Sequence, residues 1–291
     1  MIVATVTDPV EIGLDFILSH FEEPIWPRTI STRTTEGRQV LVHSKEETLA
    51  RFKQANWLDC RISAYAPNAI ENPSVIQRFQ GIKKATPTTI IIMVDLDRQT
   101  FKTETAHKRA LATTLRNIKE KLGANITAPT VLWSGNGYHI YLIMDSNGVS
   151  LDDQDVFTQL CREPSQQFLR FVEYYLSNGK SDKFHNTTVS FRNCMLRIPS
   201  SHNSKCIKDN RQSEVKIIQR WNGHRPLINY LLRDFRRYLI NQKIQQLQIQ
   251  HHTKKKNYPV NSGISNSNSP TIPWIEKLLQ TPLEDGRKFA V

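Results

Sequence analysis

The chain has 291 residues, 38% of them hydrophobic, and a formal charge of +12 from 39 Lys and Arg against 27 Asp and Glu. That length allows one large domain or two modest ones, and no apolar run reaches the 18 residues of a membrane span. The basic balance favours a polyanionic partner, nucleic acid first. In chain order, Glu11 to Phe21 reads as a helix, Val40 to His43 as a short strand, Lys45 to Trp57 as a helix and Cys60 to Tyr65 as a strand. A long apolar strand runs from Thr88 to Asp97, and a helix is expected from Thr105 to Leu122, with Leu111, Leu115, Ile118 and Leu122 at helical spacing. Thr130 to Trp133 and His139 to Met144 read as strands joined by a glycine loop, Asp153 to Leu176 as a helix, and Met195 to Ile198 and Val215 to Trp221 as strands. Pro226 to Gln248 reads as a long amphipathic helix. Strands interleaved with helices argue for a mixed α/β (α+β) body.

After Gln248 the composition changes. Residues 249–271 are polar, basic and rich in Ser and Asn, which predicts a linker rather than a core. Residues 272–291 resume an amphipathic pattern, Ile272-Pro-Trp-Ile-Glu-Lys-Leu-Leu279, and read as the opening of a further, truncated helical module or as a tail helix. The first residues carry acids early and lack the basic and apolar regions of a secretory signal, so a cytoplasmic location is expected. Cys60, Cys161, Cys194 and Cys206 are far apart with no CxxC pair. Buried, reduced thiols are the expectation, and a structural zinc site built from Cys194, Cys206 and His202 is disfavoured.

Three segments carry chemistry. The strand to Asp97 ends on Asp95 and Asp97, and residues i and i+2 of a strand share a face. Two adjacent carboxylates repel unless a cation lies between them, and oxygen ligands at a strand end suit Mg²⁺ or Mn²⁺, as two-metal phosphoryl transfer requires. The competing reading is a buried strand running out into a polar turn. In Ser134-Gly-Asn-Gly-Tyr-His139, Gly135 and Gly137 permit a tight turn with amides facing an anion, while Ser134 and His139 could touch phosphates. An ordinary hairpin loop is the alternative. In Met195-Leu-Arg-Ile-Pro-Ser-Ser-His-Asn-Ser-Lys205, an arginine between apolar residues needs an anionic partner. Arg197 is followed by the donors Ser201, Asn203 and Lys205, a set suited to phosphate, although an ion pair and a polar loop would also account for it.

The order VDLD, SGNGYH, LRIPSSHNSK resembles that of the archaeo-eukaryotic primase superfamily, in particular the primase–polymerase type of archaeal plasmids and integrated elements. The resemblance spans about residues 85–210 by motif and extends to the whole 1–248 body by layout. It implies an RRM-like catalytic sheet packed on an N-terminal α/β module. The implied enzyme is a template-dependent DNA primase or DNA polymerase joining nucleoside triphosphates with two Mg²⁺ or Mn²⁺ ions. Asp95 and Asp97 would hold the metals. Ser134, Gly135, Gly137, His139, Arg197, Ser201, Asn203 and Lys205 would bind the nucleotide. A third carboxylate is implied about a dozen residues before the arginine, where this chain has Asn186; Asp182, four residues earlier, is the expected substitute. The implied partners are a single-stranded DNA template and nucleoside triphosphates, with room for a helicase or a C-terminal helical domain, and no membrane. Without a third acid, the expectation becomes a weakened enzyme or a silent nucleic-acid-binding replication module. An initiator nuclease would need a His-apolar-His pair where this chain reads Tyr138-His-Ile-Tyr141. A DxD glycosyltransferase would not call for the Arg197 segment or the net charge.

Overall fold

The computed structural model of the chain describes residues 8–66, 89–123, 128–147, 149, 151, 155–182 and 194–256. Helix α1 (Pro9–Leu18) starts where Asp8 accepts the Val10 amide at 2.8 Å and Pro9 supplies a preset first residue. Strands β1 (Arg28–Ser31) and β2 (Val40–Val42) form a hairpin. Helix α2 (Lys45–Gln54) is capped by Ser44, which accepts the Glu47 amide. It stops before Asn56 and Trp57, both at positive φ. Strands β3 (Arg61–Ser63) and β4 (Thr89–Asp97) precede α3 (Glu104–Leu122), which Thr103 caps. Strands β5 (Thr130–Trp133) and β6 (Gly137–Asp145) lead to α4 (Asp155–Thr158) and α5 (Pro164–Leu176). Strand β7 (Met195–Arg197), the short α6 (Ser204–Lys208), β8 (Lys216–Gln219) and the 28-residue α7 (Asn229–Lys256) complete the described elements.

The body is mixed α/β, with two antiparallel four-stranded sheets ordered β2-β1-β3-β7 and β4-β6-β5-β8. Strand β4 divides the core because its side chains alternate. Ile90, Ile92, Val94 and Leu96 pack with α3, α5 and α7 through Ile118, Phe168, Val172, Leu232 and Phe235. Ile91 and Met93 face the other way, joining Tyr141 and Ile143 of β6 with Ile62, Leu196, Leu14 and Phe52. The first sheet therefore covers one face of the second, and helices cover the opposite face. At the outer edge of β4, the Tyr65 hydroxyl donates to the Ile91 carbonyl at 2.7 Å and accepts the Ile91 amide at 3.1 Å.

Several expected elements differ in physically traceable ways. The helix expected over 153–176 is broken, because Pro164 cannot continue a preceding helix and instead opens α5. The last helix begins at Asn229 rather than Pro226, since residues 226–228 run extended against Asp145. It continues to Lys256, so the start of the expected linker is helical; the rest of the linker and residues 272–291 lie outside the described residues. Strand β1 and helix α6 were not signalled, being four and five residues long within polar, proline-flanked sequence. All four cysteines are free thiols, and burial drives the Cys194 thiol up to about 12. No described helix is long and apolar enough to cross a membrane.

Candidate functional site

The β4 alternation that sends Ile91 and Met93 toward the first sheet sends Asp95 and Asp97 the same way. In the β4–β6 ladder Asp95 lies opposite His139 and Asp97 opposite Gly137. His139 Nε2 is 3.7 Å from Asp95 Oδ1, and its Nδ1 is 3.4 Å from the Tyr141 hydroxyl. The Asp95 backbone is fixed from the outer edge of the sheet. Its amide donates to the buried Glu173 of α5 at 3.3 Å, and its carbonyl accepts the Asp182 amide at 2.8 Å. His107 on α3 reaches the intervening carbonyl of Leu96 at 2.7 Å, stacked on Phe101. Three elements thus clamp the strand end that presents the acids.

Asp97 is placed differently. Its carboxylate accepts the Gln99 amide at 2.9 Å, capping the turn after β4, and the Asn136 side-chain amide at 2.9 Å. Asn136 in turn accepts Arg211 at 2.8 Å. Among the described residues, no three His, Cys, Asp or Glu side chains are gathered closely enough to hold a metal ion. Asp182 therefore stands beside Asp95 through the backbone without forming a three-carboxylate set. Asn186 lies outside the described residues.

Across from the acids, the first sheet presents positive charge. Arg197 on β7 is 5% exposed, and its Nη1 is 3.4 Å from Asp59. Its amide donates to the Tyr141 hydroxyl at 2.9 Å, which ties β7 to β6. Directly opposite Arg197 in the β3–β7 register stands Arg61. The Nε atoms of both arginines are buried without a hydrogen-bond partner. The Arg197 charge, followed by burial, lowers Arg61 to about 10, while Asp59, Tyr141 and Asp95 oppose that shift. Burial opposes the ionisation of Asp59, but Ser204, Arg197 and Arg61 together hold its carboxyl below the usual range. Arg61 carried no motif in the sequence. The available signal was a second arginine inside the Cys60 to Tyr65 strand.

The remaining expected residues divide into scaffold and surface. Ser134, 3% exposed, donates its hydroxyl to the Gly137 carbonyl and accepts the Gly137 amide, so it closes the hairpin turn instead of offering an open donor to phosphate. Gly135 has φ +83, and a Cβ there would meet Cys206 Sγ at 3.0 Å. A Cβ on Gly137 would meet the Leu96 carbonyl at 2.5 Å. These glycines serve close backbone approach. Ser201 is fully buried and donates to the Ile198 carbonyl at 2.6 Å. Asn203 donates to the Ser134 carbonyl at 2.8 Å and accepts the Lys205 amide, joining the hairpin turn to the start of α6. Lys205 is exposed. The structure thus brings Asp95, Asp97, His139 and Arg197 to facing surfaces, while Ser134, Ser201 and Asn203 shape the loops beside them.

Neither protein-family models nor curated proteins give a match to this chain.

Proposed function

We propose that the chain is a template-dependent nucleotidyl transferase of the primase–polymerase kind, acting as a DNA primase, a DNA polymerase or both. The observation that carries this reading is the division of charge between the two packed sheets: Asp95, Asp97 and His139 on one, Arg61 and Arg197 on the other. Buried guanidinium groups with unsatisfied Nε atoms favour an oxyanion ligand, and a triphosphate supplies several. The path β4-α3-β5-β6-α5, with β6 between β4 and β5, supports reading the second sheet as RRM-like, since it matches the βαββα portion of a ferredoxin-like unit.

The oxygens of Asp95 and Asp97 suit a divalent cation in chemistry and would hold Mg²⁺ or Mn²⁺; Asp182, tied to Asp95 through its backbone, would complete the set by turning its carboxylate toward them. Such ions, when bound, lower the pKa of a primer 3′-hydroxyl and offset the charge of leaving pyrophosphate. In this reading Arg61 and Arg197 grip the triphosphate and orient its α-phosphorus for in-line attack. His139, positioned by Asp95 and Tyr141, contacts the phosphates from the acid side. Arg197 is already tied through its amide to Tyr141, so both charge surfaces share one buried anchor.

The engagement of Asp97 by Gln99 and Asn136 favours a second reading, a silent nucleic-acid-binding replication module whose acids serve the turn. Incubation with Mn²⁺ or Mg²⁺, a single-stranded template and labelled nucleotides separates the two. Primer or product synthesis that disappears in Asp95→Ala supports the transferase. Synthesis that persists in the Asp95→Ala, Asp97→Ala double variant removes it.

A further inference from the structure

Helices α5 and α7 form a concave surface on the helical side of the second sheet, away from the acids. A cleft of about 260 Å³ lies there, lined by Gln167, Arg170, Phe171 and Tyr174 of α5 and Tyr238 of α7. The α5 residues share one stripe through their i, i+3, i+4, i+7 spacing. Glu173 points inward to the Asp95 amide, whereas Tyr174 is 59% exposed. Tyr238 is 37% exposed and leans on Phe171 with ring centroids 5.0 Å apart. Phe171 stacks on Tyr175 at 4.9 Å and touches Phe235 of the core, so the cleft has a continuous aromatic wall on a rigid base. Gly179, at φ +70, lets the turn after α5 lie against the Tyr174 ring, where a Cβ would come within 3.0 Å.

Arg170 brings positive charge into the cleft, and helix α7 beside it is basic. Helix α7 carries Arg233, Arg237 and Lys243 on its surface and the partly buried Arg236, and Asp234 is its one acidic residue. Asp234 is engaged by the Tyr175 hydroxyl at 2.7 Å and faces Arg233 at 3.7 Å. The cleft is smaller than the roughly 300–1,000 Å³ that encloses a small-molecule ligand, so it suits a flat ring entering from solvent. Exposed rings beside a basic helix are the arrangement by which proteins hold single strands: bases stack on the rings and cations track the backbone.

We propose that this cleft binds an unpaired base of a single-stranded nucleic acid, stacked against Tyr174 and Tyr238, with Arg170 and Arg237 on the adjoining phosphates. The site does not depend on the nucleotidyl-transfer reading. The test titrates the full chain, without divalent metal or nucleotide, into a labelled single-stranded oligonucleotide, an abasic oligonucleotide of equal length and a duplex. The Tyr174→Ala, Tyr238→Ala double variant is expected to bind the single strand about tenfold more weakly. The corresponding double Phe variant keeps the rings and should bind like the parent. The abasic strand should not distinguish parent from alanine variant, and the duplex should bind less tightly than the single strand. Equal single-strand binding by parent and alanine variant overturns the proposal, as does an equal loss on the abasic strand or no binding by the parent. Tyrosine-dependent binding in a chain that performs no synthesis would remove the transferase and retain the cleft.

Discussion

Arg61 and Arg197 face each other across the β3–β7 ladder, and neither buried Nε has a hydrogen-bond partner. Like charges placed directly opposite in an antiparallel pair are destabilising, and Asp59 is the acid within ion-pair distance of Arg197. In the proposed reading the arrangement trades stability for an anion site. Arg61→Met keeps the apolar stem and removes one of the two charges. It should melt no lower than the parent while raising the nucleotide KM by about 10- to 100-fold, the range of one charge-assisted contact. Unchanged nucleotide KM would show that Arg61 serves the fold alone.

The hydrogen bond that the Asp182 amide donates to the Asp95 carbonyl allows the backbone and carboxylate roles of Asp182 to be separated. Asp182→Asn retains the N–H and removes the charge. If the carboxylate assists a metal at Asp95, the Mg²⁺ or Mn²⁺ concentration for half-maximal synthesis should rise about 10- to 100-fold, with the melting temperature unchanged. A normal metal requirement in Asp182→Asn, with loss in Asn186→Ala, would transfer the role.

Gly137 faces Asp97 across the ladder, and a methyl group there would press on the Leu96 carbonyl and the Asp97 Cα. Both are backbone, so the β4 end must move. Gly137→Ala should destabilise by about 1–3 kcal/mol and depress kcat more than nucleotide affinity, because the acids are displaced and the arginines are not. A KM effect with normal kcat would contradict this placement.

His20 is fully buried, bonded to Thr130 at 2.6 Å, and lowered to about 4, chiefly by burial and further by Arg225. Its unfolded value is near 6.5. Between these values the unfolded chain takes up a proton that the folded chain refuses. His20 therefore withdraws stability as pH falls from about 6.5 to 4, by up to about 3 kcal/mol. Chemical denaturation at pH 7 and pH 5 should show a smaller stability difference in His20→Gln than in the parent. An identical difference in both would assign the acid sensitivity to other groups.

Much of the fold was legible because long periodic segments decide their own structure. Residues 89–97 and 104–122 carry their patterns without interruption and form β4 and α3 at almost the expected bounds. Strand β1 was not, because Arg28-Thr-Ile-Ser has no periodic apolar run and is held by pairing on both sides with β2 and β3. At the site, Asp95, Asp97, His139 and Arg197 followed from strand alternation and charge. Arg61 depended on a cross-strand register that local sequence does not encode. Ser134 and Asn203 were legible as polar loop residues, but their role as ties between two loops arises from tertiary approach.

Strand β4 is the outermost strand of its sheet. Edge strands offer unpaired backbone groups that invite another chain to add alongside. Here the outward groups of Ile91 are taken by the Tyr65 hydroxyl, and those of Asp95 by Glu173 and the Asp182 amide. The strand bearing the acids is sealed against intermolecular strand addition at those positions.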